Sequence, residues 1–514
     1  MKFKNTLKKS ENIKKYLLPL LFFLVLSCST IKEPPLGVNY ESPLRKSKNV
    51  DFHYDLTYLD KDGNIKYDRN LWESTYKIID NAKDYLIIEM FLFNDIYNKN
   101  KEKFPEFAKE YVKRLIKKKT ENPELKVYIL TDENNNLYGA FEHPFLTELK
   151  KNGINIIIVD IFKLKDTFPW YSPIWRRSIK PFGNPQNKGW ITNFYGPMWP
   201  KLTLRNLFRA LNVKADHKKV FLNEREVVVS SANIHDPSYF HENIAVYADG
   251  DITGDVLHNL ELVAEFSNSE INIRKNSEES NMEKDESSSV KLEKIENSEE
   301  IKENDIKNDK ITDIEGGEYK IQYISEGIIG KYMDRDIDSL QSGDELIMGM
   351  YFLADKNIIN KLINASNRGV KIRLILDRSR DAFGMSTNGL PNKPVSKKLK
   401  KKSKGKIEIK WYFTNNEQYH TKITLMKKTD GSVIISAGSA NLIKKNVRGY
   451  IMDANFRILT DKNSKLTKDI YSYFDRLWEN KDGIFTINFE DEPTTSGFSD
   501  FMYKILDATQ LGSF

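Results

Sequence analysis

Cysteine is almost missing from this chain of 514 residues: there is one, Cys28. An intrachain disulfide and a Cys-rich metal site are therefore excluded. Histidine is scarce as well, with seven residues, so imidazole chemistry must rest on few positions. The N-terminal apolar run, Leu17 to Leu26, is too short for an ordinary membrane span. Residues 267–318 contain no Phe, Tyr, Trp or His and are dense in Glu, Lys, Ser and Asn. Such a stretch cannot bury enough surface to offset its ordering entropy. It reads as a disordered charged insertion, with some local helicity from its Lys and Glu. Elsewhere, 28 Phe and 25 Tyr with 39% hydrophobic residues are ample for a packed core. A formal net charge of +7 fits contact with anionic phosphate groups, on lipid or on nucleic acid.

The first 27 residues have a Lys-rich start, a short apolar run and Ser27 before Cys28. That order describes a secretory signal. Val25-Leu26-Ser27-Cys28 resembles a bacterial lipobox, which implies a lipidated Cys28 and a membrane-anchored protein of the cell envelope, facing outside the cytoplasm. Leu26 stands where the commonest lipobox has a small residue. Residues 28–49, with Pro34-Pro35, read as a polar tether.

Two long stretches remain, 50–266 and 319–514, and they repeat one order of elements. In the first, spacing predicts helices over 72–82, 107–116 and 145–151, with strands over 85–91, 125–130 and 154–159. In the second, helices are expected over 328–340, 358–366 and 395–400, with strands over 345–352, 370–376 and 407–413. Strands alternating with helices argue for an α/β fold with mixed, mostly parallel sheets flanked by helices. An internal repeat suggests two halves meeting at a pseudo-two-fold axis.

Each half ends its repeat in a hairpin bearing polar side chains. His420-Thr421-Lys422 opens an apolar strand, Asp430-Gly431 turns it, and Gly438-Ser439-Ala440-Asn441 closes the return. His217-Lys218-Lys219 opens the other copy, and Ser230-Ser231-Ala232-Asn233 closes it. Residues two apart in a strand share a face. His and Lys therefore project together, as do Ser and Asn. An imidazole, an ammonium, a hydroxyl and an amide around one space suit a phosphodiester: a nucleophile or proton donor, with donors for the phosphoryl oxygens. A carboxylate precedes the next strand in each half, Glu242 and Asp453, as the acceptor that a working imidazole needs on its far nitrogen.

The duplicated H-x-K and S-A-N stretches resemble the phospholipase D superfamily. In the second half Asp381-Ala382-Phe383-Gly384, Asn388-Gly389, Pro391 to Val395 and Gly438 to Leu442 resemble bacterial phospholipase D-like and cardiolipin synthase-like proteins. The resemblance implies two phospholipase D-like repeats packed as a pseudo-dimer around one shared site, in a chain that is itself a monomer. It implies a phosphohistidine mechanism with His217 as nucleophile and His420 as acid. Lys219, Lys422, Asn233 and Asn441 would hold the non-bridging oxygens, supported at the substrate by Ser231 and Ser439, and Glu242 and Asp453 would pair with the motif histidines. No cofactor and no metal is called for. The first copy departs from the family pattern, with Ser230 where Gly is usual and no Asp at the usual step after the Lys.

Three activities are compatible with the resemblance: a phospholipase D or phosphatidyltransferase acting on membrane phospholipid, a secreted nuclease, and a catalytically dead lipid-binding lipoprotein. The residues favour the first. A membrane anchor would hold the chain where phospholipid is abundant. Residues 168–201 place Trp170, Trp175, Trp190 and Trp199 among Arg176, Arg177, Lys180 and Lys188, a mixture suited to a bilayer interface; a loop packed on the core or lidding the site reads equally well from the same residues. The basic run from Lys397 to Lys406 lacks interleaved aromatics, so nucleic acid is the less favoured partner.

Overall fold

The computed structural model describes residues 30–273, 319–379, 381–382, 385–386 and 389–492. The leader with Cys28, most of the charged insertion, residues 383–384 and 388 of the second-half stretch, and residues 493–514 lie outside the described residues.

Along the first half run β1 (Arg45–Ser47), β2 (Val50–Leu59), β3 (Ile65–Arg69), α1 (Leu71–Asn81), β4 (Tyr85–Met90), β5 (Phe93–Asn94), α2 (Phe107–Glu121), β6 (Lys126–Thr131), α3 (Pro144–Lys151), β7 (Asn155–Ile158), α4 (Ser172–Ser178), α5 (Leu204–Ala210), β8 (Lys219–Asn223), β9 (Glu226–Ser230), β10 (Ile234–His235), β11 (Ile244–Asp249) and α6 (Ile252–Phe266). The second half continues with β12 (Tyr319–Ser325), α7 (Gly327–Asp338), β13 (Glu345–Met350), α8 (Lys356–Arg368), β14 (Lys371–Leu376), β15 (Asp381–Ala382), β16 (Met385–Ser386), α9 (Asn392–Lys402), β17 (Ile407–Tyr412), β18 (Lys422–Lys427), β19 (Ser432–Gly438), α10 (Lys444–Val447), β20 (Ala454–Asp461), α11 (Lys465–Glu479) and β21 (Thr486–Asn488). Local chemistry sets the ends. The Asp355 side chain accepts from the backbone N–H groups of Asn357 and Ile358 in the first turn of α8, and Gly369 closes that helix at φ +102°.

Each half builds one large sheet. The first has order β3-β2-β11-β9-β8-β4-β6-β7, and the second β1-β12-β20-β19-β18-β13-β14-β17-β21. Seven strands correspond one to one, from β2 and β12 through to β7 and β17. The α/β class and the repeat are as expected, but the sheets are not mostly parallel. Each holds two parallel pairs, β4-β6-β7 and β13-β14-β17. The other pairs are antiparallel, because the motif strands return through tight hairpins and a further strand runs back beside them.

The two sheets meet through their apolar inner faces. Val220, Leu222, Val227, Val229, Ile244 and Val246 share one buried cluster with Ile423, Leu425, Val433, Ile435, Phe456 and Ile458. Fully burying such a side chain contributes about 1.5–3 kcal/mol, so this shared core holds the halves together. Helix α6 packs on β12 of the other half, and α11 packs on β2. The exchange is reciprocal, as a pseudo-two-fold requires. The outer faces are covered by α1–α3 in the first half and by α7–α9 in the second.

From Thr30 onward, the expected tether is not free. Strand β1 pairs with the edge strand β12, Val38 and Ser42 are buried, and Asn39 N–H donates to the Glu326 carboxyl at 2.6 Å. An open sheet edge offers unpaired backbone groups, and this segment takes them. The insertion also begins later than composition suggested. Ile271 is buried, and Asn272 bonds the Tyr128 hydroxyl.

Candidate active site

The halves exchange backbone at the motifs. His217 N–H donates to Met452 O at 2.9 Å, and Met452 N–H to Ala215 O at 3.0 Å. On the other side Glu242 N–H donates to Gln418 O at 3.1 Å. Two buried carboxylates brace the motif entrances. Asp132, at the end of β6, accepts from Asp216 N–H at 2.7 Å. Asp377, at the end of β14, accepts from Tyr419 N–H at 2.8 Å. Burial raises their pKa values to about 8 and about 7 respectively.

These contacts bring His217 and His420 together, ring centroids 6.5 Å apart and planes at 74°. Each ring is fixed through Nδ1 by a residue of the opposite half. His217 Nδ1 donates to Asp453 Oδ1 at 2.8 Å, and His420 Nδ1 to Asn243 Oδ1 at 3.0 Å. With Nδ1 occupied, Nε2 is the nitrogen that each ring keeps for chemistry. Lys219 Nζ donates to His217 O at 2.5 Å, and Lys422 Nζ to His420 O at 2.7 Å. The ammonium groups lie over Phe91 and Tyr351 respectively. The amide oxygens of Asn233 and Asn441 are buried without a hydrogen-bond partner. Both residues lie three positions past the ends of the motif return strands β9 and β19, and an amide bonds a phosphoryl oxygen through its NH2 group.

Glu242 sits differently from its expected role. Its carboxyl turns away from both histidines and accepts from Thr57 N–H at 3.1 Å. Burial, then Glu417, holds its pKa well above the usual carboxylate range. The structural counterpart of Asp453 is Asn243. Ser439 Oγ donates to Asp453 Oδ1 and accepts from Ala454 N–H; Ser231 Oγ donates to Asn243 Oδ1 and accepts from Ile244 N–H. Matching Glu242 with Asp453 is a one-residue slip, and in extended chain such a slip sends the side chain to the opposite face. The same bonds correct the substrate-binding role expected of Ser231 and Ser439. Both hydroxyls are fully buried and engaged by the groups that orient the histidines.

Sequence reasoning missed Asn243 and Asn446. Asn446 Nδ2 donates to Asp453 Oδ2 at 2.6 Å. Asn243 Nδ2 donates to His241 O at 3.2 Å and Ser238 O at 3.4 Å. The surroundings thus provide donors to Asp453 and acceptors to the Asn243 amide, so each position is built for the residue it holds. A signal was available for Asn243: like Asp453, it directly precedes its strand, β11 or β20.

The electrostatics are those of a site awaiting an anion. Burial, then Lys219, brings His217 down to about 4, against the opposing pull of Asp453. Burial, then Lys422, holds His420 well below the usual imidazole range. Burial brings Lys219 down to about 7, and burial and Lys219 hold Lys422 well below its ordinary value. A phosphodiester placed between them supplies the missing negative charge and favours the charged lysines.

Duplicated sheets joined face to face, with one H-x-K from each half at a common pocket, define a phospholipase D-like fold. Residues 336–478, within the second half, match the family described as cardiolipin synthase, PLD-like domain. No curated protein matches the chain. Among solved structures, phosphatidylserine synthase from Haemophilus influenzae Rd KW20 is similar with a TM-score of 0.51 at 11% identity, over 85% of this chain and 92% of that one. Polyphosphate kinase from Porphyromonas gingivalis gives 0.43 at 12%, over 90% and 53%. Nuc from Salmonella typhimurium, a phospholipase D family member, gives 0.25 at 17%, over 32% and 97%. Of these three, the first exceeds 0.5, and at its identity it speaks to the fold alone.

Proposed function

We propose that the chain is a phosphodiesterase of the phospholipase D type that acts on membrane phospholipid through a phosphohistidine, by hydrolysis or by transfer to an alcohol. The observation that carries the reading is the pair of imidazoles from two halves, 6.5 Å apart between ring centroids and each held at Nδ1 by the opposite half, which leaves Nε2 of both for chemistry. His217 Nε2 attacks phosphorus, and the bond from phosphorus to the leaving alcohol breaks. The His420 Nε2 proton goes to that alcohol's oxygen. His420 then takes a proton from water or an acceptor alcohol, whose oxygen attacks phosphorus and releases His217. Lys219 and Lys422, with the Asn233 and Asn441 amides, hold the non-bridging oxygens.

The difference between the two Nδ1 partners supports this division of labour. The nucleophile becomes cationic when it bears phosphorus, and the Asp453 carboxylate stabilises that cation. A neutral Asn243 leaves His420 the stronger acid. The anchor belongs to the same reading: lipidation at Cys28 would hold the chain in the cell envelope, facing outside the cytoplasm.

Product analysis with phosphatidylglycerol, phosphatidylcholine and DNA tests the reading, together with acid quenching on a phospholipid labelled in its phosphatidyl part. Release of headgroup or formation of a new phosphatidyl ester, with label on His217, is expected. His217→Ala, His420→Ala and the double variant should lose nearly the same rate, because groups acting as a unit are strongly non-additive. Cleavage of DNA alone would establish the nuclease instead. A folded protein turning over none of the three would be a binding protein.

A further inference from the structure

Residues 159–218 join β7 to β8, whereas residues 413–421 suffice between β17 and β18 at the equivalent place. The long connection forms a lobe that packs Leu202, with Ile191, Tyr195, Trp199 and Leu207, into a small cluster with Ile96, Leu137, Ala140 and Phe141 of the preceding loops. Its surface differs from the rest of the molecule. Among the described residues, seven of the eleven exposed large hydrophobic side chains belong to it, including Trp170 at 56%, Phe182 at 74%, Trp190 at 67% and Phe194 at 62% exposure. Part of this set is contiguous. Arg205 donates to Phe182 O, and Trp190 N–H to Leu202 O at 3.1 Å, which ties the segments that bear Phe182, Trp190 and Leu204 to one another.

Charge is the second observation. Residues 168–211 hold seven Lys and Arg and no Asp or Glu. Arg176 and Arg209 are spent on Asp166 and Glu133 inside the fold. Arg177, Lys180, Lys188 and Lys201 are exposed. The third observation is place. Phe168 lies under Lys445, next to the Asn446 that holds Asp453. Ile31, three residues after Cys28, pairs with Asp166 at the lobe's base through two 2.9 Å bonds. The base of the lobe is thus tied both to the N-terminal segment at Ile31 and to the loop that supports Asp453.

We infer that the 168–211 lobe docks the protein on an anionic phospholipid bilayer, with Trp170, Phe182, Trp190 and Phe194 in the headgroup region and the free cations against lipid phosphate. Trp at this depth beside Lys and Arg is the ordinary composition of a membrane interface. The inference rests on the reading of the chain as a phospholipid enzyme, and two separate readouts keep them apart.

The full chain is mixed with vesicles of bromine-labelled phosphatidylcholine, with or without phosphatidylglycerol, and tryptophan quenching is read alongside turnover of a water-soluble phosphodiester. Quenching is expected with phosphatidylglycerol. It should fall at least about tenfold without that lipid, at about 1 M salt, or in Lys180→Glu/Lys188→Glu/Lys201→Glu. Trp170→Phe/Trp190→Phe should remove most of the signal. Soluble turnover should be unchanged in both variants, which also reports their folding. Absence of quenching in the wild type overturns the inference. So does equal quenching on neutral vesicles, or duplex DNA displacing the vesicles at equal phosphate. Docking without phospholipid turnover supports the lobe's role and refutes the proposed reaction.

Discussion

Asp453→Asn isolates the charge behind the nucleophile. The carboxylate is fully buried and accepts three bonds, from His217 Nδ1, Ser439 Oγ and Asn446 Nδ2. An asparagine keeps the shape. Its new NH2 would face Asn446 Nδ2, but the Asn446 amide oxygen is buried and unpartnered, so a flip of Asn446 restores the bond. What is lost is the negative charge beside an imidazole that turns cationic in the reaction. A hydrogen bond to a charged group is worth about 1.5–3 kcal/mol. Two unit charges about 4 Å apart interact by about 4 kcal/mol at an effective dielectric of about 20. The two figures overlap, so the expected loss is about 3–5 kcal/mol, or roughly 10²- to 10⁴-fold in phosphoenzyme formation. Rapid-quench measurement of that step, with circular dichroism to confirm folding, is the assay. His217 sits at about 4, and removing an anion lowers it further. It stays neutral at pH 6–8 in both proteins, so the loss should be flat over that range. A variant keeping more than about a tenth of the rate would refute the assignment of His217 and Asp453 as a unit.

Two further substitutions test particular contacts. Glu242→Gln should leave turnover within about threefold of wild type, since its carboxyl is buried in a raised-pKa environment and bonds Thr57 rather than a histidine; a loss as large as that of Asp453→Asn would restore Glu242 to the catalytic set. Lys219→Met should abolish activity yet stabilise the ligand-free fold against urea. Folded Lys219 titrates at about 7, below its unfolded value of 10.5, so between these limits the unfolded chain binds the extra proton and wild-type stability rises with pH. The advantage of the variant is therefore full below pH 7 and fades towards pH 10.5, and a variant less stable at pH 6 would contradict this.

The repeat was legible because its helices and strands carry strong period and the hairpins carry fixed turn chemistry; the helix expected over 358–366 is α8, and the strand expected over 85–91 is β4. Strand β2 was missed although Val50, Phe52, Tyr54, Leu56 and Tyr58 alternate. Its register becomes informative only once β11 is known to lie beside it. The direction balance of the sheets was misjudged for a related reason, since helix-strand alternation describes three strands per sheet and is silent on the hairpins. At the site, the two H-x-K motifs pointed to histidines that the fold brings together, 6.5 Å apart between ring centroids. The partner groups lie beyond loops of unequal length, from Ser231 to Asn243 and from Ser439 to Asp453, so spacing could not align them and the one-residue slip followed. Hydrogen bonds from the two serines settle the register, and those are tertiary facts.

The walls behind the two histidines have diverged further than the motifs. Lys218, the middle residue of the first H-x-K, is buried among Glu89, Glu326 and Asn259. At the equivalent place Thr421 meets Tyr473, and Tyr419 stacks on Tyr412. The counterpart of Glu89 is Gly349, paired to β18 as Glu89 is to β8. A Cβ at Gly349 would fall 2.4 Å from the Tyr419 hydroxyl, so the glycine is required by the ring that fills the space. Thus His217 backs onto a charged layer and an acid, and His420 onto tyrosines and an amide. A duplicated fold with identical walls would offer two interchangeable imidazoles. These walls do not, because a low-dielectric layer and a neutral partner both disfavour the imidazolium. In the proposed mechanism they suit His420 to give up its proton and His217, with Asp453 behind it, to bear positive charge.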